Sequence, residues 1–474
     1  MFMRMVYDEK LAQAAYLIGC QRSGEAVVID PQRDVDRYID LAASKGLRIV
    51  ATAETHIHAD FVSGSRELSE RVGAKVYVSG EGGPDWKYTW ITGGEHDYQL
   101  LHDGESFWIG NIEFEAVHTP GHTPEHMVLL VTDHGGGADE PIGILTGDFL
   151  FVGDLGRPDL LETAAGMQGQ MEPSARQLHR SLERLADLPG FVQVWPAHGA
   201  GSACGKALGA VPTSTLGYER RFNDAMRHAE SEQGFVDFIL AGQPEPPVYF
   251  ATMKRVNKQG PLVLGGVPTP PRVSAADLAK IDTSLAAVID TRKWDAFRAA
   301  HLPGALYIPL NASFNTDAGS LVGETEPMYL VVEEARLDEA VRDLIRIGLD
   351  EIRGWCTPAD LESHLSSGGA SATIDEMGVD EARELIEGGG ASVLDVRRAT
   401  EFEAGHIPGA TNIAHTRLAT RMDEVPAGGR LIVNCRSGGR SARASAYLKR
   451  AGMAVINLRG GYRAWGSAET PVNS

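Results

Sequence analysis

The sequence predicts a mixed α/β chain built as one large domain followed by two small ones. Three observations predict it. Strand-like and helix-like segments alternate through about the first 200 residues. A Pro- and Gly-rich stretch, GGVPTPPR (265–272), reads as a linker. Behind it a stretch of sequence is repeated. At roughly 150 residues per domain, 474 residues also fit about three domains.

In the first region EAVVID (25–30) reads as a buried strand, and VDRYIDLAASKG (35–46) as a helix closed by Gly46. RIVATAET (48–55) is a strand that runs into a histidine-rich loop. AKVYVSG, IEFEAVHT, MVLLVTD, IGILTGD and FVQVWPAHG follow as strand-to-loop units. PSARQLHRSLERLADLPG (173–190) is an amphipathic helix, with Pro173 near its start and Gly190 past its end. GQPEPP (242–247) is a second Pro-rich segment.

The repeat pairs AVIDTRKWDAFRAAHLPGALYIPL (287–310) with SVLDVRRATEFEAGHIPGATNIAH (392–415). Asp290 falls on Asp395, Arg292 on Arg397, Phe297 on Phe402 and His301 on His406, at a constant offset. A constant offset means a duplicated domain rather than shared composition. The expected domains are 1–262, 273–368 and 373–474.

Composition narrows the function. The chain is 43% hydrophobic and 23% charged, which is globular, and its net charge is −20. That sign argues against nucleic acid and anionic membrane surfaces as partners. No apolar run reaches the length of a membrane span. MFMRMVYDEK has no apolar signal core, so a cytoplasmic enzyme is expected. Cys20, Cys204, Cys356 and Cys435 are scattered without a CxxC pair, which suits a reducing compartment where a cysteine is free for catalysis.

Four strand ends of the first region carry metal-ligand chemistry: THIHAD (55–60), HTPGHT (118–123), LTGD (145–148) and PAHG (196–199). In extended chain alternate residues face one way, so His56, His58 and Asp60 can converge. Any one segment alone is an ordinary structural histidine. Four in this order, each after a strand, make a constellation.

This set resembles the metallo-β-lactamase superfamily and its αββα sandwich. Dinuclear hydrolases of that superfamily continue the first motif with a histidine after the aspartate. Here that position is Phe61, which cannot be a ligand. By the resemblance, His56, His122 and Asp148 form a two-histidine, one-carboxylate face. Such a face suits non-haem Fe(II), and it is the ligand set of the persulfide dioxygenases in the same superfamily. TPGHT and TGDFLFVGDLGRPD (146–159) resemble that branch. The implied cofactor is one Fe(II) per chain, with Zn as the alternative. His58, Asp60 and His198 then orient the ligands or are further ligands. The resemblance places Arg157 and Asp159 near the site; a structural loop pair explains them equally well. Cys204, six residues after His198, is either a thiol at the metal mouth or a small packed residue, with packing slightly favoured.

VNCRSGGRS (433–441) lies between a strand and a helix. Helix N-terminal amides and the flanking Arg436 and Arg440 favour a thiolate at Cys435. The loop and the DVR…HIPGA text resemble rhodanese-type sulfurtransferases. Only four residues separate Cys435 from Arg440, one fewer than in the phosphatases with a related loop, and this suits sulfur better than phosphate. The resemblance makes Cys435 a persulfide carrier, with Arg440 and the loop amides stabilising the sulfur anion. In the first copy YLVVEEARLD (329–338) replaces LIVNCRSGGR, with Glu333 expected in the cysteine's place.

The fold class expected is therefore an αββα sandwich followed by two small rhodanese-like α/β domains with parallel sheets. The expected function is oxidation of a low-molecular-weight thiol persulfide by O₂ to sulfite, with sulfane sulfur passed through Cys435 to sulfite to give thiosulfate. A zinc thioesterase of the glyoxalase II kind with an accessory rhodanese, and a non-catalytic sulfur carrier or sensor, are the alternatives. Expected partners are these small molecules alone, with no nucleic acid or membrane, and the chain is expected to form a homo-oligomer.

Overall fold

The computed structural model describes residues 1–94, 96–163, 166–206 and 208–469. The end of the expected 373–474 domain lies outside them. The chain divides into two compact units. One comprises Met1–Val267 with Ile345–Gly348, the other Pro268–Leu344 with Leu349–Ser474. The division falls inside the GGVPTPPR stretch.

The first unit holds two six-stranded sheets. The first is β1 (Phe2–Asp8), β2 (Gln13–Cys20), β3 (Glu25–Ile29), β4 (Arg48–Ala53), β5 (Lys75–Ser79) and β6 (Tyr98–Leu101), in that spatial order. β1 to β3 pair antiparallel, and β3 to β6 pair parallel. The second contains β7 (Ser106–Ile109), β8 (Ile112–His118), β9 (Met127–Asp133), β10 (Gly143–Gly147), β11 (Gln193–Pro196) and β12 (Ser214–Thr215), again in chain order across the sheet. All its pairs are antiparallel except β10 with β11.

Side chains divide by strand parity. Tyr16, Ile18, Val27 and Ile29 of the first sheet share one buried cluster with Phe114, Leu129, Leu145 and Trp195 of the second. The intervening Leu17, Ala26 and Val28 pack outward on Tyr38 and Ala42 of helix Asp36–Ser44 and Leu68 of helix Ser65–Val72. On the opposite side Val128, Leu130, Ile144 and Val194 meet Ala175 and Leu178 of helix Met171–Leu182 and Phe235 and Ile239 of helix Glu232–Leu240. Both faces of both sheets are thus covered, giving the expected αββα sandwich. Strands buried on two faces read as continuous apolar runs, as EAVVI does.

The second unit holds two further sheets. β13 (Ala287–Asp290), β14 (Leu306–Tyr307), β15 (Met328–Val331) and β16 (Ile352–Cys356) form one in the order β14-β13-β15-β16, all parallel. β17 (Asp375–Met377), β18 (Ala391–Asp395), β19 (Thr411–Asn412), β20 (Arg430–Asn434) and β21 (Val455–Leu458) form the other in the order β17-β21-β20-β18-β19, also all parallel.

The repeated residues make the same contacts twice. Arg292 forks onto Asp290 and donates to the Ala300 carbonyl at 2.8 Å. Arg397 forks onto Asp395 and donates to the Gly405 carbonyl at 2.7 Å. The His301 ring stacks on Phe297 at 4.1 Å and the His406 ring on Phe402 at 3.8 Å.

Strand register corrects one expectation. Asp290 pairs with Val331, and Asp395 with Asn434. The residue after the strand is therefore Val332 in the first copy and Cys435 in the second. Val332, not Glu333, stands where the cysteine does. It is buried, while Glu333 is exposed. Matching the two apolar runs by text alone slips this pairing by one residue.

Because the two Asp–Arg forks are equivalent, breaking either should cost alike. Arg292→Met and Arg397→Met each strand a buried carboxylate, at about 3–5 kcal/mol. Denaturant unfolding of each variant checks this. A much smaller loss at one site would show that the second unit does not depend on both forks.

Candidate functional site

The four ligand-bearing strand ends of the first unit meet at one edge of the sandwich. His56, His58, Asp60, His122, Asp148 and His198 are all buried. Donor atoms of His56, His122 and Asp148 lie within 4.8 Å of one another. So do those of Asp60, His198 and Cys204. Asp148 belongs to both neighbourhoods: Oδ2 is 3.5 Å from His122 Nε2, and Oδ1 is 3.4 Å from His198 Nε2.

The imidazoles are aimed by what holds their other nitrogen. His198 Nδ1–H donates to the Ala12 carbonyl at 3.0 Å, and His122 Nδ1–H to the Arg157 carbonyl at 3.2 Å. The Thr55 hydroxyl donates to Asp30 Oδ2 at 2.9 Å, so its oxygen accepts from His56 Nδ1–H at 3.0 Å. In the neutral rings of His56 and His122 this leaves Nε2 as a lone pair. Burial, then the neighbouring histidines, hold the His56 pKa well below its ordinary value; burial also lowers that of His122. Both rings are therefore neutral donors at neutral pH.

His58 differs. Its Nε2 lies 3.0 Å from Asp30 Oδ1. Burial opposes a charge there, but Asp30, with Glu54 and Asp60, outweighs it and lifts the pKa to about 9. His58 thus sits as an imidazolium paired to Asp30 and belongs to neither donor group. Phe61 is buried and lies against it, ring centroids 4.4 Å apart. The residue at position 61 therefore packs on a structural histidine.

Arg157 and Asp159 serve the site from behind. Arg157 Nε donates to Asp159 Oδ1 at 3.0 Å and Nη2 to Oδ2 at 2.6 Å. Nη1 donates to the carbonyl of Ala203 at 2.8 Å. One arginine thus fixes His122 through its main chain and the Cys204 segment through its guanidinium. Burial, then Asp148 and Asp60, push the Cys204 thiol well above the ordinary range.

Sequence reasoning missed Asp30, Thr55, His126 and Asn257. Asp30 accepts from the Thr55 amide at 2.8 Å and sits at φ +49, which only the end of EAVVID hints at. His126 Nε2 accepts the Asp148 amide at 3.1 Å. Asn257, on helix Phe250–Gln259, donates to the carbonyls of His58 and Phe61 and accepts from the Ser63 amide. Gly156 was also unforeseen: a Cβ there would lie 1.7 Å from the Asp148 carbonyl oxygen.

The donor set fits a metal ion. Asp148 Oδ1, Asp60 Oδ2 and His198 Nε2 are buried polar atoms without a hydrogen-bond partner, and a cation among them would satisfy all three.

In the second unit Cys435 follows β20 and precedes helix Gly439–Arg450. The sulfur is buried and accepts the Gly438 amide at 3.2 Å and the Ser441 hydroxyl at 3.5 Å. The loop is clamped by the amides of Tyr462 and Arg463, which donate to the carbonyls of Cys435 and Arg436. That contact requires Gly461, at φ +59, where a Cβ would meet the Cys435 oxygen at 2.2 Å. Arg440 lies on the first turn in a two-armed bridge to Glu401, at 2.6 and 2.8 Å. Arg436 is exposed.

Two outcomes follow. Asp30→Asn should weaken metal binding by about 10–100-fold, because Asp30 orients Thr55 and through it His56. Titration of metal-free protein checks this, and an unchanged affinity would remove Asp30 from the site. The Arg440 bridge, despite some desolvation, holds the Glu401 pKa below its ordinary value. Its stabilisation is therefore present above the unfolded-state carboxylate range, near pH 4.3, and is lost as pH falls through the lower folded value. Glu401→Gln should flatten that acid limb in pH-dependent unfolding.

The comparisons agree with this geometry. Residues 9–198 match the metallo-beta-lactamase superfamily, and residues 378–468 the rhodanese-like domain. Persulfide dioxygenase ETHE1, mitochondrial, from Bos taurus is 30% identical over 198 residues, 41% of this chain and 67% of that one. A hydroxyacylglutathione hydrolase from Gloeobacter violaceus is 33% identical over 174 residues, 36% of this chain and 58% of that one. The crystal structure of a metallo-beta-lactamase from Staphylococcus aureus subsp. aureus COL superposes with a TM-score of 0.68 at 39% identity, covering 76% of this chain and 99% of that one. That share exceeds the first unit, so the likeness continues into the second. The chain belongs to the metallo-beta-lactamase superfamily, in the persulfide dioxygenase-like branch, with a rhodanese-like domain fused behind the sandwich.

Proposed function

We propose that this chain is a non-haem iron persulfide dioxygenase joined to a sulfurtransferase. The observation that carries the reading is the neutral two-histidine, one-carboxylate face of His56, His122 and Asp148, beside a position 61 that offers no ligand. Its support from relatives is the likeness to the Bos taurus persulfide dioxygenase. We take the chain as three domains, 1–262, 273–368 and 373–474, with the middle one lacking a thiol in its loop.

When bound, ferrous iron supplies one-electron chemistry with O₂ at a face with open positions. The protein's own residues do the rest. Asp30 and Thr55 orient His56, Arg157 orients His122, and His126 fixes the main chain of Asp148. The burial of these groups keeps the reacting sulfur away from bulk water. The overall change is thiol persulfide plus O₂ and water to thiol, sulfite and two protons.

Cys435 takes sulfane sulfur from a second persulfide, releasing its thiol. Attack of sulfite on the Cys435 persulfide then gives thiosulfate and returns the cysteine. The Gly438 amide and the Ser441 hydroxyl donate to sulfur and stabilise its anionic form.

A zinc thioesterase is the second reading, favoured by the Asp60–His198–Cys204 group and the hydroxyacylglutathione hydrolase relative. Metal content together with thioester turnover separates the two.

Oxygen uptake with a low-molecular-weight thiol persulfide tests the proposal. Alanine at His56, His122 or Asp148 should abolish iron binding and uptake. Cys435→Ala should keep uptake but accumulate sulfite in place of thiosulfate, read at early times against an enzyme-free control. Thiosulfate at the unmodified rate in that variant would exclude Cys435 as carrier.

A further inference from the structure

The copy without a thiol keeps its strand-end edge open. A pocket of about 360 Å³ lies where β13, β14 and β15 end, the edge at which the other copy carries Cys435. Parallel sheets of this kind take ligands at that edge. Arg336 stands four residues after Val332, as Gly439 stands four after Cys435. The other copy completes the lining with Gly439 and Arg443 of helix Gly439–Arg450. The two copies share one continuous core, to which Tyr307 and Cys435 both belong.

Four side chains lining the pocket are cations, Arg292, Lys293, Arg336 and Arg443, and among the described residues no carboxylate lines it. Three of them are fixed by acids outside the lining: Arg292 by Asp290, Arg336 by Glu339 and Arg443 by Asp317. Lys293 is exposed and, among the described residues, has no ion pair or hydrogen bond. Tyr307 is only 7% exposed, and its hydroxyl has no partner there either. Burial raises the Tyr307 pKa and Arg443 opposes it only in part, so the hydroxyl keeps its proton and is a donor. The pocket is thus a set of donors waiting for an acceptor. Guanidinium, ammonium and phenol donors around a small space suit an oxyanion.

We propose that this pocket binds a small sulfur oxyanion, sulfite or the thiosulfate formed from it, so that the thiol-less copy is the acceptor-holding half of the sulfurtransferase. The inference rests on Cys435 as the sulfur carrier. Sulfite attacks the outer sulfur of the Cys435 persulfide. A new S–S bond forms, the S–S bond to Cys435 breaks and the cysteine leaves as thiolate, so no outside oxidant or reductant is needed. Gly439, which lines the pocket, directly follows Gly438, whose amide donates to Cys435 Sγ at 3.2 Å. A cation-lined pocket beside the loop raises the local concentration of the anionic acceptor.

Anaerobic discharge of the persulfide-loaded full chain tests it, since without O₂ the chain makes no sulfite of its own. Sulfite and cyanide are compared as acceptors. Lys293→Met and Arg336→Met should each raise the sulfite concentration for half-maximal discharge about 10-fold, the effect of one lost charge-assisted hydrogen bond, with the rate at saturating sulfite kept. Lys293→Arg should restore it. Cyanide, mostly uncharged HCN at neutral pH, should discharge every form alike. Equilibrium dialysis of the unloaded chain against sulfite should show binding that both Met variants weaken. Unchanged sulfite dependence in both variants, an equal loss with cyanide, or slowed loading by the thiol persulfide with normal discharge would overturn the proposal. A loaded chain from which sulfite releases no thiosulfate would instead remove Cys435 as carrier, and the dialysis then decides the pocket by itself.

Discussion

Three hydrogen bonds from imidazole Nδ1 set the chemistry of the first unit. His56 gives its Nδ1–H to Thr55, His122 to the main chain of Arg157, and His198 to the main chain of Ala12. Each acceptor comes from a different segment of the sandwich. The three rings are therefore aimed together only when the β1–β2 hairpin and the ends of β4, β10 and β11 are in place. The fold is, in this sense, the device that orients three imidazoles, two of them, His56 and His122, held neutral by burial.

The same logic explains why His58 stands apart. It has the spacing of a ligand but meets Asp30, whose carboxylate charges it and turns it into a strut. Asp30 thus serves both histidines of the motif, holding one as a cation and, through Thr55, the other as a neutral donor. In the second unit a comparable economy operates by duplication. One Asp–Arg fork braces each parallel sheet, yet only the copy ending in Cys435 presents a thiol to a helix N-terminus. In the other copy Val332 closes the same strand and leaves nothing to react.

Much of this was legible in the sequence because its signals are local. The buried strands showed as apolar runs, the αββα layering followed only from the family resemblance of the histidine motifs, and the duplication showed as a constant offset. The strand-end segments holding His56, His122 and Asp148 were legible, their grouping coming from the family resemblance, and the structure brings their donor atoms within 4.8 Å of one another; Cys435 stood out as a cysteine among arginines and glycines. What stayed hidden depends on contacts between distant segments. Asn257 reaches the histidine loop from a helix almost two hundred residues away, and nothing near it announces that role. The hairpin of β1 and β2 carries no turn signature, yet it supplies the Ala12 carbonyl that aims His198. The slip between Val332 and Glu333 arose because apolar runs align equally well in two registers, and only strand pairing decides.

The central claim is that the His56–His122–Asp148 face holds ferrous iron with positions left open for O₂ and sulfur. Electron paramagnetic resonance of the anaerobically iron-loaded chain, exposed to nitric oxide as an O₂ surrogate, tests it directly. The account predicts a high-spin ferrous–nitrosyl signal, perturbed when a low-molecular-weight thiol is added and absent from His122→Ala. Stoichiometric iron that gives no such signal, or a signal indifferent to both the thiol and the substitution, would contradict it.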